Sequence, residues 1–305
     1  MGHMDTTKLL GLIVGGLVAG TLCGLIPFFL GKKRGQPTLG IVGLVSCIVG
    51  GFLGGVIVAL PVAGVFALII ADGVRIFNTF FAPSKTFTDI KRSASWWAPF
   101  LLMAVVSCGF AFVVAKKVGW EQVTQNKFRL APKQADALER LPADQRERQM
   151  KIAVIVSMVE AYGTPVFRLL GLVIVAAVLM ATFNFGVGSE ISFKHALAVV
   201  TYAKLPDIVR EGLAAVSLLA GTNPEGFFFQ NPVATNPAYF MDPAKSLPLY
   251  SLAASLDIIS LWILILTAIG FARISKLKTG TTMAVVFGWY FLLTLIGAGV
   301  AAIFS

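Results

Sequence analysis

The chain has 305 residues, of which 57% are hydrophobic and only 13% charged, with a net charge of +10 and a mean hydropathy of +0.83. A water-soluble domain ordinarily carries about 25% charged residues, so this composition excludes one and requires several membrane spans. The positive charge is no nucleic-acid footprint either, because its Lys and Arg fall in the gaps between apolar runs, where membrane-flanking loops place them. Cys23, Cys47 and Cys108 all lie inside apolar runs. They read as small hydrophobes, with no disulfide or metal framework and no cofactor site.

The first apolar run, 9–30, is long enough to stay in the membrane as an anchor. Its glycines, among them Gly16, Gly20 and Gly24, recur largely at four-residue spacing and make a flat strip for close helix packing. Lys32, Lys33 and Arg34 close it, and a turn at 35–37 leads to a second run, 39–71, with a strip including Gly51 and Gly55. A tight Gly-rich hairpin over 1–72 is the economical expectation. The second run exceeds one untilted crossing, and the sequence leaves open whether it crosses once or twice.

Residues 72–95 interleave Phe77, Phe80, Phe81, Phe87 and Ile90 with Arg75, Lys85, Lys91 and Arg92. This pattern predicts an interfacial segment on an anionic leaflet. A span is expected from Trp96 to Ala115, then a polar loop over 116–151 whose mixed charges form short amphipathic helices broken at Pro142. The next crossing is placed at about 165–185, with Arg168 near its start. Residues 195–220 make a less hydrophobic helix containing Lys204, Pro206, Asp207, Arg210 and Glu211. A Pro- and Asn-rich loop over 221–250 precedes two final spans, 255–272 and 281–304, joined by a basic turn at Arg273, Lys276 and Lys278.

Four features together resemble the Yip-domain family of multipass membrane proteins, in its bacterial branch. They are Phe81-Ala-Pro83 leading to Trp96-Trp97-Ala-Pro99; Tyr202-Ala-Lys-Leu-Pro206; Asn231-Pro232 with Asn236-Pro237; and Leu256-Asp257-Ile-Ile-Ser-Leu-Trp262 with Gly270. The likeness covers about three-quarters of the chain, 73–304, and leaves the N-terminal hairpin as an addition. It implies a five-span α-helical domain over 73–305, related to eukaryotic proteins of vesicle traffic that work through Rab proteins. The long N-terminal arm of those relatives is not seen, so no Rab-type GTPase partner is expected. The resemblance also implies that Arg75–Arg92 and the basic turn face the cytoplasm. Positive charge in 119–151 pulls the other way.

The candidate chemistry centres on Asp207, Arg210 and Glu211, which share one helical face by their three- and four-residue spacing. Charges within a span are expensive and commonly face a bundle interior or water-filled cavity. One reading is an intramembrane polar site facing Asp257 or Arg168. The other is a helix that ends or bends at Pro206, with the charges at the interface. The Asn-Pro pairs read as turn formers, and His195 as a cap residue with no metal partner. No hydrolase or phosphate-binding motif appears.

The expected protein is therefore an all-α, polytopic transmembrane bundle of about seven spans, two N-terminal and five in the Yip-type domain. It is expected to be non-enzymatic, to lie in the bacterial cytoplasmic (inner) membrane, and to organise or shape membrane or scaffold assembly. Its partners would be lipids, further copies or other membrane proteins, and no nucleic acid. The alternative is a small-solute or lipid transporter using the residues around Asp207.

Overall fold

The computed structural model describes residues 6–243 and 245–304 of the chain. It is all-α and divides into two compact units, Met1–Phe77 with Trp97–Leu102, and Asn78–Trp96 with Met103–Ser305. Among the described residues, five helices are long and apolar enough to cross a membrane: Val14–Lys33, Trp97–Lys117, Thr164–Gly186, Ile258–Ser275 and Thr279–Ile303. A bent pair, Val58–Ala67 and Ile69–Phe81, makes a sixth if counted as one span. The count falls below the expected seven because two stretches are broken into pieces too short to qualify.

The first break lies in the N-terminal unit. Helix α1 (Thr6–Lys33) is followed by the helical stretch α2 (Pro37–Phe81). Within α2, Gly55 adopts φ +62°, a conformation open to glycine at little cost, and the chain turns back there. A Cβ on Gly50 would meet Val58 at 3.2 Å, and one on Gly43 would meet Phe66 at 3.0 Å, so the limbs on either side of Gly55 lie together. Gly55 thus serves the reversal and stands apart from the packing strip the sequence suggested, with nothing near its missing side chain.

The other glycines of that strip face one another across α1 and α2. A Cβ on Gly16 would lie 2.4 Å from the Gly51 carbonyl oxygen, one on Gly20 2.5 Å from that of Cys47, and one on Gly24 2.6 Å from Leu44. Each clash is with backbone or a closely held side chain. Two helices can come this close only where no side chain intervenes, so these residues are occupied within one chain.

In the second unit, α3 (Pro83–Arg92) is amphipathic and buries Thr86, Phe87 and Ile90. Its apolar face is not laid into lipid, as the interfacial reading had it, but packs on α12 (Ile258–Ser275) and α9 (Phe193–Ala203). Gly270 permits the contact: a Cβ there would lie 2.4 Å from Val199 and 3.0 Å from the Phe87 ring. Arg273 donates to Ser84 Oγ at 3.1 Å, tying the same end of α12 to α3.

Helix α4 (Trp97–Lys117) leads to three helices that do not qualify as spans, α5 (Trp120–Arg129), α6 (Pro132–Glu139) and α7 (Ala143–Tyr162). Helix α8 (Thr164–Ala181) then crosses, ending in a widened π turn, Thr182–Gly186. Helix α9 is buried along Ala196–Ala203. A helix apolar on every side has neighbours on every side, and this one is the domain's axis. At Lys204–Leu205 it breaks, and α10 (Pro206–Leu219) continues. Proline supplies no N–H, and the Tyr202 carbonyl is satisfied instead by the Leu205 N–H at 3.1 Å. Neither half is long enough to count as a span. Helices α11 (Leu247–Ser255), α12 and α13 (Thr279–Phe304) complete the domain.

The hairpin geometry makes a prediction. Gly20→Ala should destabilise the protein by about 1–3 kcal/mol, the usual cost of overpacking. Gly15→Ala, whose Cβ would meet nothing within 4 Å, should leave it unchanged or slightly more stable. Thermal unfolding of the two variants in the same detergent tests this.

Candidate functional site

The break between α9 and α10 assembles a network of six charges. Proline at the first turn of α10 sets Asp207 just inside the new helix, and one turn later come Arg210 and Glu211. Arg210 donates to Asp207 at 2.9 Å, to Asp257 at 2.5 Å and to Ser260 Oγ at 3.0 Å. Lys204 pairs with the other Asp207 oxygen at 3.0 Å. Glu211 accepts from Arg168 of α8 at 2.5 Å, and Ser107 of α4 donates to it at 3.0 and 3.1 Å. Arg168 donates in turn to Ser107 Oγ at 2.8 Å.

Three cations thus meet three carboxylates, and the network is neutral. Asp207, Glu211 and Asp257 are buried, with 5%, 9% and 5% of their surface exposed. Separating such charges without partners would be prohibitive in a lipid-surrounded bundle. The two sequence readings turn out to be two aspects of one arrangement. The helix does break at Pro206, and its charges face inward, where Arg210 bridges Asp207 and Asp257 while Glu211 reaches Arg168.

Asp257 also begins α12: its carboxylate accepts from the Ser260 N–H at 2.7 Å, a helix-capping bond. Its second oxygen accepts from the Thr235 hydroxyl, fastening the 221–246 loop to the network. Burial pushes the Asp257 carboxyl upward, but the Thr235 hydroxyl, the Ser260 amide and the Arg210 guanidinium together hold it below the usual carboxylate range. In that loop Asn231 and Asn236 exchange side-chain amide bonds at 2.7 and 3.2 Å, and Asn236 caps the short turn Pro237–Phe240. Lysine and acid pairing alone would not have pointed to Ser107 and Thr235. Their only sequence signal is a lone hydroxyl in mid-span and one in a loop.

Beside the network lies a cavity of about 800 Å³ bounded by α8, α9, α12 and α13. Arg168, Lys204, Asp207 and Ser260 line its polar end, and Leu172, Val175, Ile263 and Val286 its apolar depth. At that deep end Trp289 donates to Thr182 Oγ1 at 3.1 Å, joining α13 to α8. His195 bonds Ser192 Oγ at 2.7 Å and the Lys91 carbonyl at 3.3 Å, across to α3. Among the described residues no group of three or more His, Cys, Asp or Glu could hold a metal ion.

A polytopic helical membrane protein whose buried charges close a broken central helix is the class this arrangement defines. The chain matches the Yip1 domain family over residues 77–302 and belongs to that family, whose members are generally non-enzymatic membrane-trafficking proteins. Comparison with curated proteins and with solved structures gives no match.

Removing Arg210 leaves two carboxylates without their shared partner. Loss of one member of a buried ion pair costs about 3–5 kcal/mol, and with Arg210 24% exposed the lower end of that range is expected. Arg210→Met should therefore lower the unfolding temperature sharply, and adding Asp257→Asn should recover part of the loss. Acid gives a second test. The unfolded Asp carboxyl titrates near ~3.9 and the folded one lower, so its stabilisation is complete above that value and lost as pH falls through the folded one. Unfolding temperature should drop on acidification below pH ~4, and Asp257→Asn should flatten that limb.

Proposed function

We propose that this Yip1-domain protein is a non-enzymatic organiser of the lipid bilayer in the bacterial cytoplasmic membrane, acting through one basic end on an anionic leaflet. The observation behind this reading is the set of exposed cations at that end. Lys85, Lys91 and Arg92 project from α3, whose other face is fixed on α12 and α9. Arg273, Lys276 and Lys278 project from the adjoining end of α12 and the turn after it. Each Lys or Arg near an anionic surface is worth about 1 kcal/mol. Held on a packed scaffold, these cations would gather anionic lipid around one end of the bundle. By the tendency of basic loops to remain inside, that end faces the cytoplasm. The opposite extramembrane helices have mixed charges that partly pair among themselves, as Lys127 with Glu160 and Lys151 with Glu147.

A second reading, passage of a small solute or lipid, is favoured by the charge network at the break in α9–α10 beside the cavity. Discontinuous helices with charges at the break are a recurrent feature of transport sites.

Reconstitution separates the two. In vesicles of phosphatidylcholine with phosphatidylglycerol, the protein should cluster a self-quenching anionic lipid probe, and high salt should weaken the effect. Changing Lys85, Lys91, Arg92 and Arg273 together to Gln should abolish it. Clustering that survives those changes contradicts the organiser reading. Flux of solute or labelled lipid that Asp207→Ala eliminates would replace it with transport.

A further inference from the structure

We infer that the cavity between α8, α12 and α13 is a binding site for a single glycerophospholipid, its phosphate on Lys204 and one acyl chain along the apolar depth. This goes beyond both readings above and stands whichever of them holds.

The cavity has the asymmetry of an amphiphile. Ionised groups gather at one end, where Glu160, Arg168, Lys204 and Asp207 stand with the Thr164 and Ser260 hydroxyls, while the rest of the wall is mainly apolar, broken by Thr267, Trp289 and Tyr290. That end lies close to where two spans begin, since Arg168 is one turn into α8 and Ser260 is in the first turn of α12. A headgroup phosphate at the membrane interface meets the protein at this depth. From Arg168 to Leu179 the cavity follows α8 for about 16 Å at ~1.5 Å per residue, half the ~30 Å hydrocarbon core and so one leaflet. Its volume of about 800 Å³ suits a sizeable organic ligand, for which pockets run roughly 300–1,000 Å³.

The walls also leave a way in. Phe167, Val175 and Leu293 line the cavity and yet are exposed at 55%, 44% and 58%, so it opens sideways, toward the lipid. Trp289, in the cavity wall, is held by its bond to Thr182.

The charge at the polar end selects the phosphate. Arg168 and Arg210 are engaged by carboxylates and hydroxyls on several sides. Lys204 is different: among the described residues its ammonium meets Asp207 alone, and its side chain is 38% exposed. An ammonium has three donors, so two remain for a ligand in the cavity that Lys204 lines. A phosphodiester oxygen there would make a charge-assisted bond of the strong kind.

Gly171 gives a clean way to test the site. It lines the cavity, and a Cβ there would meet nothing within 4 Å. Gly171→Leu should therefore send a side chain into the cavity from a position whose Cβ is unobstructed. Gly109→Leu, on an exposed face where a Cβ also meets nothing, is the control.

Native mass spectrometry of the full chain, delipidated and then titrated with phosphatidylglycerol or with diacylglycerol of the same chains, reads the outcome. The wild type and Gly109→Leu should retain one phosphatidylglycerol per chain and no diacylglycerol. Gly171→Leu should lose it, with thermal unfolding no lower than that of the wild type. Lys204→Gln should weaken it by about tenfold, as loss of one charge-assisted bond implies, and Lys204→Arg should restore most of it. Undiminished lipid retention in Gly171→Leu, or equal retention of diacylglycerol, would overturn the inference.

Discussion

The domain depends on neutralising charge where the central helix is interrupted. A helix crossing lipid satisfies its own backbone, and α9–α10 gives up part of that at Lys204–Leu205. The backbone there closes on tighter three-residue bonds, Leu205 to Tyr202 and Asp207 to Lys204, and side-chain chemistry holds the two halves in place. Arg168, Lys204 and Arg210 meet Glu211, Asp207 and Asp257 with no net charge left over. These contacts draw α4, α8, α10 and α12 together at one point, and Thr235 adds the loop. Apolar packing between helices gains little from lipid exclusion, since lipid tails are as apolar as the side chains themselves. An ion network is directional, and it specifies which helices meet and in what register.

Around that point the rest of the domain follows. Helix α9 is encased because every face of it is apolar or small, and Gly270 lets α12 approach it. Helix α3 locks the opposite end by setting Phe87 and Ile90 against the same pair. One end of the domain thus carries a fixed basic surface, while the other has a polar pocket set one turn inside the spans. The two ends differ in chemistry, with exposed cations at one and a charge-lined cavity at the other.

Much of this was legible in the chain. The long apolar runs located α1, α4, α8, α12 and α13, and proline marked the break at Pro206. Spacing put Asp207, Arg210 and Glu211 on one face, and one of the two readings of those charges set them toward Asp257 or Arg168. The reversal at Gly55 was hidden because a glycine that packs and a glycine that turns look alike in an apolar run. The seat of α3 was hidden because an amphipathic helix has the same sequence whether its apolar face meets lipid or protein. Ser107 and Thr235 gave no periodic signal. The cavity depends on helices far apart in sequence, and no local pattern encodes it.

The most direct test of the central role of the charge network is a charge exchange between α8 and α10. Arg168→Glu and Glu211→Arg should each lower the thermal unfolding temperature in detergent, since each sets two like charges together inside the bundle. Combined, they should recover most of that loss. If the double variant is as unstable as the sum of the two single changes, the pair does not hold the helices together and the account fails.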